Sequence, residues 1–116
     1  MEKLSEELRE YGADIEDAMA RFLNDETLYA ECIRLLLEDS AFPKLETAME
    51  RKLYEEAFNQ AHTLKGVLGN LGLTPLYQSA CSLVDALRAQ AYPLAQERYQ
   101  AFQAENSRMR SAIAAE

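Results

Sequence analysis

Four residues spaced along one predicted helix together suit a phosphoryl acceptor. His62 is the only histidine in the chain. Lys65 follows it by three positions, and Gly66 and Gly69 follow by four and seven. A neutral imidazole is a good nucleophile near pH 7, because its ordinary pKa is about 6.5. A phosphoryl group on such a ring brings close to two negative charges, which a nearby ammonium offsets. Each glycine inside a helix costs about 1 kcal/mol relative to alanine, so glycines beside the one imidazole indicate a need for open space.

At roughly 100° per residue, Ala57, Ala61 and Leu68 set the inward direction of this helix, and His62 falls roughly 120° away, toward solvent. Gly66 and Gly69 share the flank of His62. The turn above the ring is thereby stripped of side chains, which lets another protein's active site approach. Lys65 projects between the core stripe and that flank, and its stem must snorkel outward. Asn59, three residues before His62, is within helical reach of the ring. No Ser/His/Asp set and no cluster of metal-ligand spacing accompanies the histidine, so hydrolytic and metal chemistry find no support.

The elements that must position these residues are helices. The chain has 116 residues, 48% of them hydrophobic, with only four glycines and three prolines. That composition suits one all-α domain with a real core. Leu4, Leu8 and Tyr11 mark a first short helix stopped by Gly12. Asp14 caps a second over Ile15–Leu23, whose apolar face is Ile15, Met19 and Phe22. After Asn24-Asp25 a longer helix spans Glu26–Asp39, with Leu28, Cys32, Leu35 and Leu36 as its core stripe, widened by Ile33 and Leu37. Pro43 suits the first turn of the next segment. Lys44–Leu71 is helix-forming throughout, and the absence of a breaker at Arg51-Lys52-Leu53 leaves open whether it is one helix or two.

Gly72 closes that segment as a C-terminal cap. Thr74-Pro75 starts the next helix, a hydroxyl cap followed by proline, with Leu76, Ala80, Leu83, Val84 and Leu87 facing inward. Tyr92-Pro93 breaks the chain again. The last helix runs from Leu94 to Ala114 with Leu94, Arg98, Ala101, Phe102, Met109 and Ile113 near one face, and its end frays. The expectation is a single domain over 1–116: an N-terminal helical extension at 1–23 and an up-down four-helix bundle at 26–114.

The formal net charge of −8 argues against nucleic acid or an anionic membrane as partner. Cys32 and Cys81 lack the spacing of a zinc site or disulfide framework. No signal peptide or membrane span is visible, which places the protein in the cytoplasm. The initiating Met1 and the fraying end suggest a stand-alone chain.

His62-x-Leu64-Lys65-Gly66, with Gly72 ten positions after the histidine, is similar to the signature of histidine-containing phosphotransfer (HPt) domains. Asp14–Phe22 with Asp25–Tyr29 resembles the opening segment of many bacterial members, and Leu73–Leu76 with Ala80 and Leu83–Leu87 resembles a third. The resemblance covers residues 12–90. It departs from the family where Val67 and Leu68 follow Lys-Gly, and where Arg51-Lys52-Leu53 stands in place of Gly-Asp.

The resemblance implies a helical bundle and a phosphocarrier in a His-Asp phosphorelay rather than an enzyme. His62 would accept a phosphoryl group on Nε2 from a receiver-domain aspartate or a histidine kinase pathway and pass it to a response regulator. It further implies that Lys65 offsets phosphate charge, that Gly66 gives the receiver access, and that the receiver, not this chain, holds Mg²⁺. Docking would use an apolar patch beside the histidine; Ile15, Met19 and Phe22 are candidates, burial against the bundle being the equal alternative for them, with Asn59 and Gly69 nearby, and the carrier would be a monomer. Two other readings compete. A helical adaptor would bind a receiver or kinase without taking phosphate, and a haem or metal bundle would ligate through His62, for which one histidine among glycine and lysine is a poor ligand set.

Overall fold

A computed structural model describes residues 2–114 of the chain. Its order is α1 (Glu2–Tyr11), α2 (Ile15–Arg21), α3 (Glu26–Leu37), α4 (Ala41–Glu50), α5 (Tyr54–Asn70), α6 (Thr74–Arg88) and α7 (Tyr92–Ala114), with no strand among the described residues. The fraying expected beyond Ala114 lies outside the described residues.

Local chemistry sets most boundaries. The backbone N–H of Asp17 donates to Asp14 Oδ1 (3.1 Å), and that of Leu28 donates to Asp25 Oδ1 (2.9 Å), which caps α2 and α3 as their sequences require. The α4 start differs from expectation. Ala41 N–H donates to Asp39 Oδ1 (2.8 Å), so the helix begins two residues before Pro43. α6 also starts without the expected hydroxyl cap, since the Thr74 hydroxyl donates back to the Gly72 carbonyl instead (3.3 Å). The break expected at Tyr92-Pro93 falls at Ala89–Ala91, and both residues sit in the first turn of α7, where proline's missing N–H costs nothing.

The undecided segment resolves into two helices. Lys52 adopts a left-handed φ of 59°, Leu53 N–H donates to the Ala48 carbonyl (2.8 Å) and Lys52 N–H to that of Met49 (3.3 Å). This is a Schellman stop built on a lysine, and no glycine announces it.

Helices α4 to α7 pack lengthwise, each against the next in chain order, and α1 lies along α7. Phe42 of α4 stacks near Phe102 of α7 (6.3 Å), which closes the bundle. All five residues expected inward on α6 are buried, as are Leu45, Ala48 and Met49 on α4. Helices α1–α3 gather at the end where α5 turns into α6. Asp14 N–H donates to the Gly72 carbonyl (2.8 Å), and the buried Tyr29 hydroxyl donates to that of Leu71 (2.7 Å). Arg110 Nη1 of α7 donates to the Leu37 carbonyl of α3 (3.0 Å). So the extension is three helices rather than two, and α4 takes the bundle place assigned to α3.

Two apolar stripes are turned from expectation. On α3 the buried residues are Tyr29, Ile33 and Leu36, while Leu28 and Leu35 are 48% and 53% exposed and Cys32 is half-buried. This helix is apolar nearly all round, so pattern alone leaves its rotation free. The Tyr29 hydroxyl reaching the Leu71 carbonyl, just past the end of α5, fixes it. On α7 Leu94 and Ala101 face outward, Arg98 and Ile113 are half-buried, and the core takes Ala95, Tyr99, Phe102 and Met109.

Candidate functional site

Mid-way along α5 the structure places His62 exposed, Lys65 half-buried and Gly66 exposed. The inward side of this helix at the same level is Ala57, Ala61, Leu64 and Leu68, all buried. Small alanines at two of these positions draw α5 close to its neighbours, and the helix is held on both sides by α4 and α6. The site therefore rests on a rigid element, which an exposed nucleophile needs for defined geometry.

No hydrogen bond engages the His62 imidazole among the described residues. Its one close aromatic neighbour is Phe58, one turn earlier, with ring centroids 5.7 Å apart and planes 30° apart. Phe58 is half-buried and borders the site. Tyr54, at the start of α5, is also half-buried and stacks on Tyr92 at 4.0 Å. Asn59 does not bond the ring. Its backbone carbonyl accepts from the Thr63 hydroxyl (3.0 Å), and its side chain is exposed. Lys65 makes no ion pair among the described residues, so its ammonium is uncommitted.

The two inner glycines part company. A Cβ at Gly66 would meet nothing within 4 Å, so the space over it is open. A Cβ at Gly69 would lie 3.0 Å from the Tyr77 ring of α6. Gly69, expected to give a partner access, serves close packing of α5 on α6 instead. Its carbonyl is also occupied, accepting from Arg21 Nη2 (2.8 Å), while Arg21 Nε donates to the Asn70 carbonyl (3.0 Å). Arg21 thus satisfies two of the carbonyls that end α5. Neither Arg21 nor Tyr77 is legible from sequence, since each acts across a fold contact.

The docking candidates divide as well. Ile15 and Met19 are buried at 1% and 9% exposure, so they present no surface. Their apolar face is spent on seating α2 against the end of the bundle. Phe22 is half-buried and packs edge-on against Tyr29 at 5.4 Å. The exposed apolar surface lies instead on α3. Leu28, Cys32 and Leu35 line one face at i, i+4 and i+7, and Leu23 precedes them at 88% exposure. A groove of about 290 Å³ runs between this face and α5, bounded by Phe22, Cys32, Leu35, Asp39, Val67 and Asn70. On α5, counting from His62, Gly66 lies roughly 40° and Asn70 roughly 80° round the helix toward that groove. Bare Gly66 separates the groove from the imidazole.

Gly66 gives a prediction of opposite signs. Gly66→Ala meets no clash and removes a helix glycine, so it should stabilise the fold by about 1 kcal/mol. The same methyl intrudes on any partner seated over the site, where overpacking costs about 1–3 kcal/mol. Melting temperature should rise by a few degrees while phosphotransfer with a receiver falls about tenfold. Calorimetry and a labelled transfer assay on the same sample check both, and unchanged transfer would refute the access role.

Among the described residues no helix is long and apolar enough to cross a membrane. Among protein families, the one described as Hpt domain matches residues 1–112 of the chain. No curated protein and no solved structure matches it.

Proposed function

Because the chain belongs to the Hpt domain family, we propose that it is a phosphocarrier of a His-Asp phosphorelay with His62 as the phosphoacceptor. The observation that carries this reading is the pairing of the chain's only imidazole, exposed and unbonded, with open space at Gly66 one turn on. The unprotonated ring nitrogen attacks the phosphorus of a receiver's aspartyl phosphate. A nitrogen–phosphorus bond forms as the phosphorus–oxygen bond breaks, and the aspartate leaves as carboxylate with the electron pair. Transfer to a second receiver reverses these steps. Lys65 offsets the added negative charge. The receiver brings the Mg²⁺ and the acid-base groups, so this chain contributes a positioned nucleophile. The carrier works as a monomer in the cytoplasm.

The test is incubation with a phosphorylated receiver domain, followed by gel and mass analysis of this chain. The expected product carries label that is lost in acid, survives base, and maps to the peptide holding His62. A chain that binds receivers yet takes no label from them or from phosphoramidate would be an adaptor, and the proposal would be wrong.

The receiver docks over the α3–α5 groove. Leu35→Glu places a charge on an exposed position, so the fold should change by less than about 0.5 kcal/mol. Desolvating that charge in an apolar interface should weaken transfer about tenfold or more, through KM, and leave labelling by phosphoramidate untouched. Equal transfer by the variant and the parent chain would move the docking surface elsewhere.

A further inference from the structure

We propose that Phe58 is a positioning residue for the His62 imidazole, and that Arg88 of α6 holds Phe58 in place. The inference rests on His62 being the phosphoacceptor and adds the device that orients it. An exposed histidine with no hydrogen bond samples several staggered χ1 wells, and only some aim the ring nitrogen at an incoming phosphorus. The Phe58 ring lies one helical turn before His62, stacked at 5.7 Å with 30° between planes. That i, i+4 spacing puts one ring over the other on a single helix face. The stack favours one imidazole orientation over those that swing clear of it.

Phe58 needs its own restraint, because it is half-buried and only one side of it packs on the core. The restraint comes from the neighbouring helix. The Arg88 guanidinium carbon sits 5.5 Å from the Phe58 ring centroid, a cation–π distance. Asp85, three residues before it, steadies the guanidinium, with Arg88 Nη1 3.6 Å from Asp85 Oδ1. A line of contact thus runs from α6 through Arg88 and Phe58 to the imidazole.

The experiment uses the full chain and phosphoramidate, a donor that needs no partner and loses ammonia as the phosphoryl passes to the imidazole. Phe58→Leu, Phe58→Tyr and Arg88→Gln are compared with the parent for labelling rate and for the His62 χ1 populations read from NMR couplings. The parent should show one dominant rotamer. Phe58→Leu should show averaged couplings and a labelling rate about twofold lower, the loss expected when the two χ1 wells open to a helical residue share the population. Phe58→Tyr keeps the stack and should restore both readouts, and Arg88→Gln should fall between. If Phe58→Leu does not fold, Arg88→Gln decides by itself, since Arg88 is exposed. Parent-like couplings in Arg88→Gln, or a slower Phe58→Leu that keeps a single His62 rotamer, would overturn the proposal. An unlabelled parent chain would instead overturn the reading of His62 as phosphoacceptor.

Discussion

Replacing His62 with glutamine should abolish phosphoryl uptake while leaving the unfolding transition where it was. Both halves follow from the placement of one side chain. The amide of glutamine has no basic lone pair, so no nitrogen–phosphorus bond can form. The chain has no other histidine to take over. The loss should therefore reach background, several orders of magnitude below the parent chain. Stability should move by less than about 0.5 kcal/mol, since the imidazole is exposed and no hydrogen bond from the described residues engages it. Label stability distinguishes the chemistry: phosphohistidine is lost in acid and survives base, and an aspartyl phosphate is lost in base. Acid-labile, base-stable label persisting on His62→Gln would sink the assignment. A receiver should still bind this variant, because the exposed α3 face and the Gly66 opening are untouched.

The opposite behaviour is expected ten residues further on. Gly72→Ala should cost the fold heavily while leaving the chemistry of the remaining folded protein intact. Gly72 has a φ of +71°, the left-handed conformation that ends α5. Leu73 N–H donates to the Leu68 carbonyl (3.1 Å) and Gly72 N–H to that of Gly69 (3.2 Å), a Schellman motif. An L side chain here pays about 1–2 kcal/mol in backbone terms alone. The added Cβ would also stand 2.6 Å from the Asp14 carbonyl oxygen and 3.0 Å from Ala18 Cβ. The first is backbone and cannot rotate away. Asp14 is further tied to this spot, since its N–H donates to the Gly72 carbonyl (2.8 Å). Adding about 1–3 kcal/mol for the clash gives a total of about 2–5 kcal/mol, or a melting temperature lower by roughly 10–20 °C. Thermal denaturation followed by circular dichroism measures it. A shift under a few degrees would mean that α2 can lift off the α5–α6 turn at little cost, contrary to the packing described.

These two variants separate what a glycine-flanked motif merges. His62 and Gly72 stand in the same sequence stretch, yet one carries chemistry and the other holds the N-terminal helices onto the bundle. Gly66 and Gly69 divide likewise, one toward open space and one under Tyr77. A sequence pattern treats each glycine as an absent side chain. What fills or avoids that absence belongs to a neighbouring helix.

Periodicity served where a helix has one apolar face and failed where it has none or several. α6 carries its apolar residues on a single stripe, and every one expected inward is buried. α3 has apolar residues on most sides, so its rotation was misread by about one residue. That misreading had a functional consequence. Leu28 and Leu35, expected in the core, are exposed surface, and Ile15 and Met19, open to either a partner or the core, are in the core. α7 is polar for most of its length, and its inward residues were found only in part.

Features that depend on near neighbours along the chain are legible in the residues alone. They include the all-α character, the aspartate caps of α2 and α3, the left-handed stop at Gly72, and the placing of His62 and Gly66 on the outer flank of one helix with Lys65 at the edge of that flank. Helical geometry relates residues a turn apart, so spacing suffices. Packing between helices decided the division of α4 from α5 at Lys52, the rotation of α3, the occupation of Gly69 by Tyr77, and the seating of Arg88 on Phe58. Each of these joins residues from different helices or trades a local preference against packing. Burial and hydrogen bonding across the bundle set the outcome, and no spacing within a single helix encodes them.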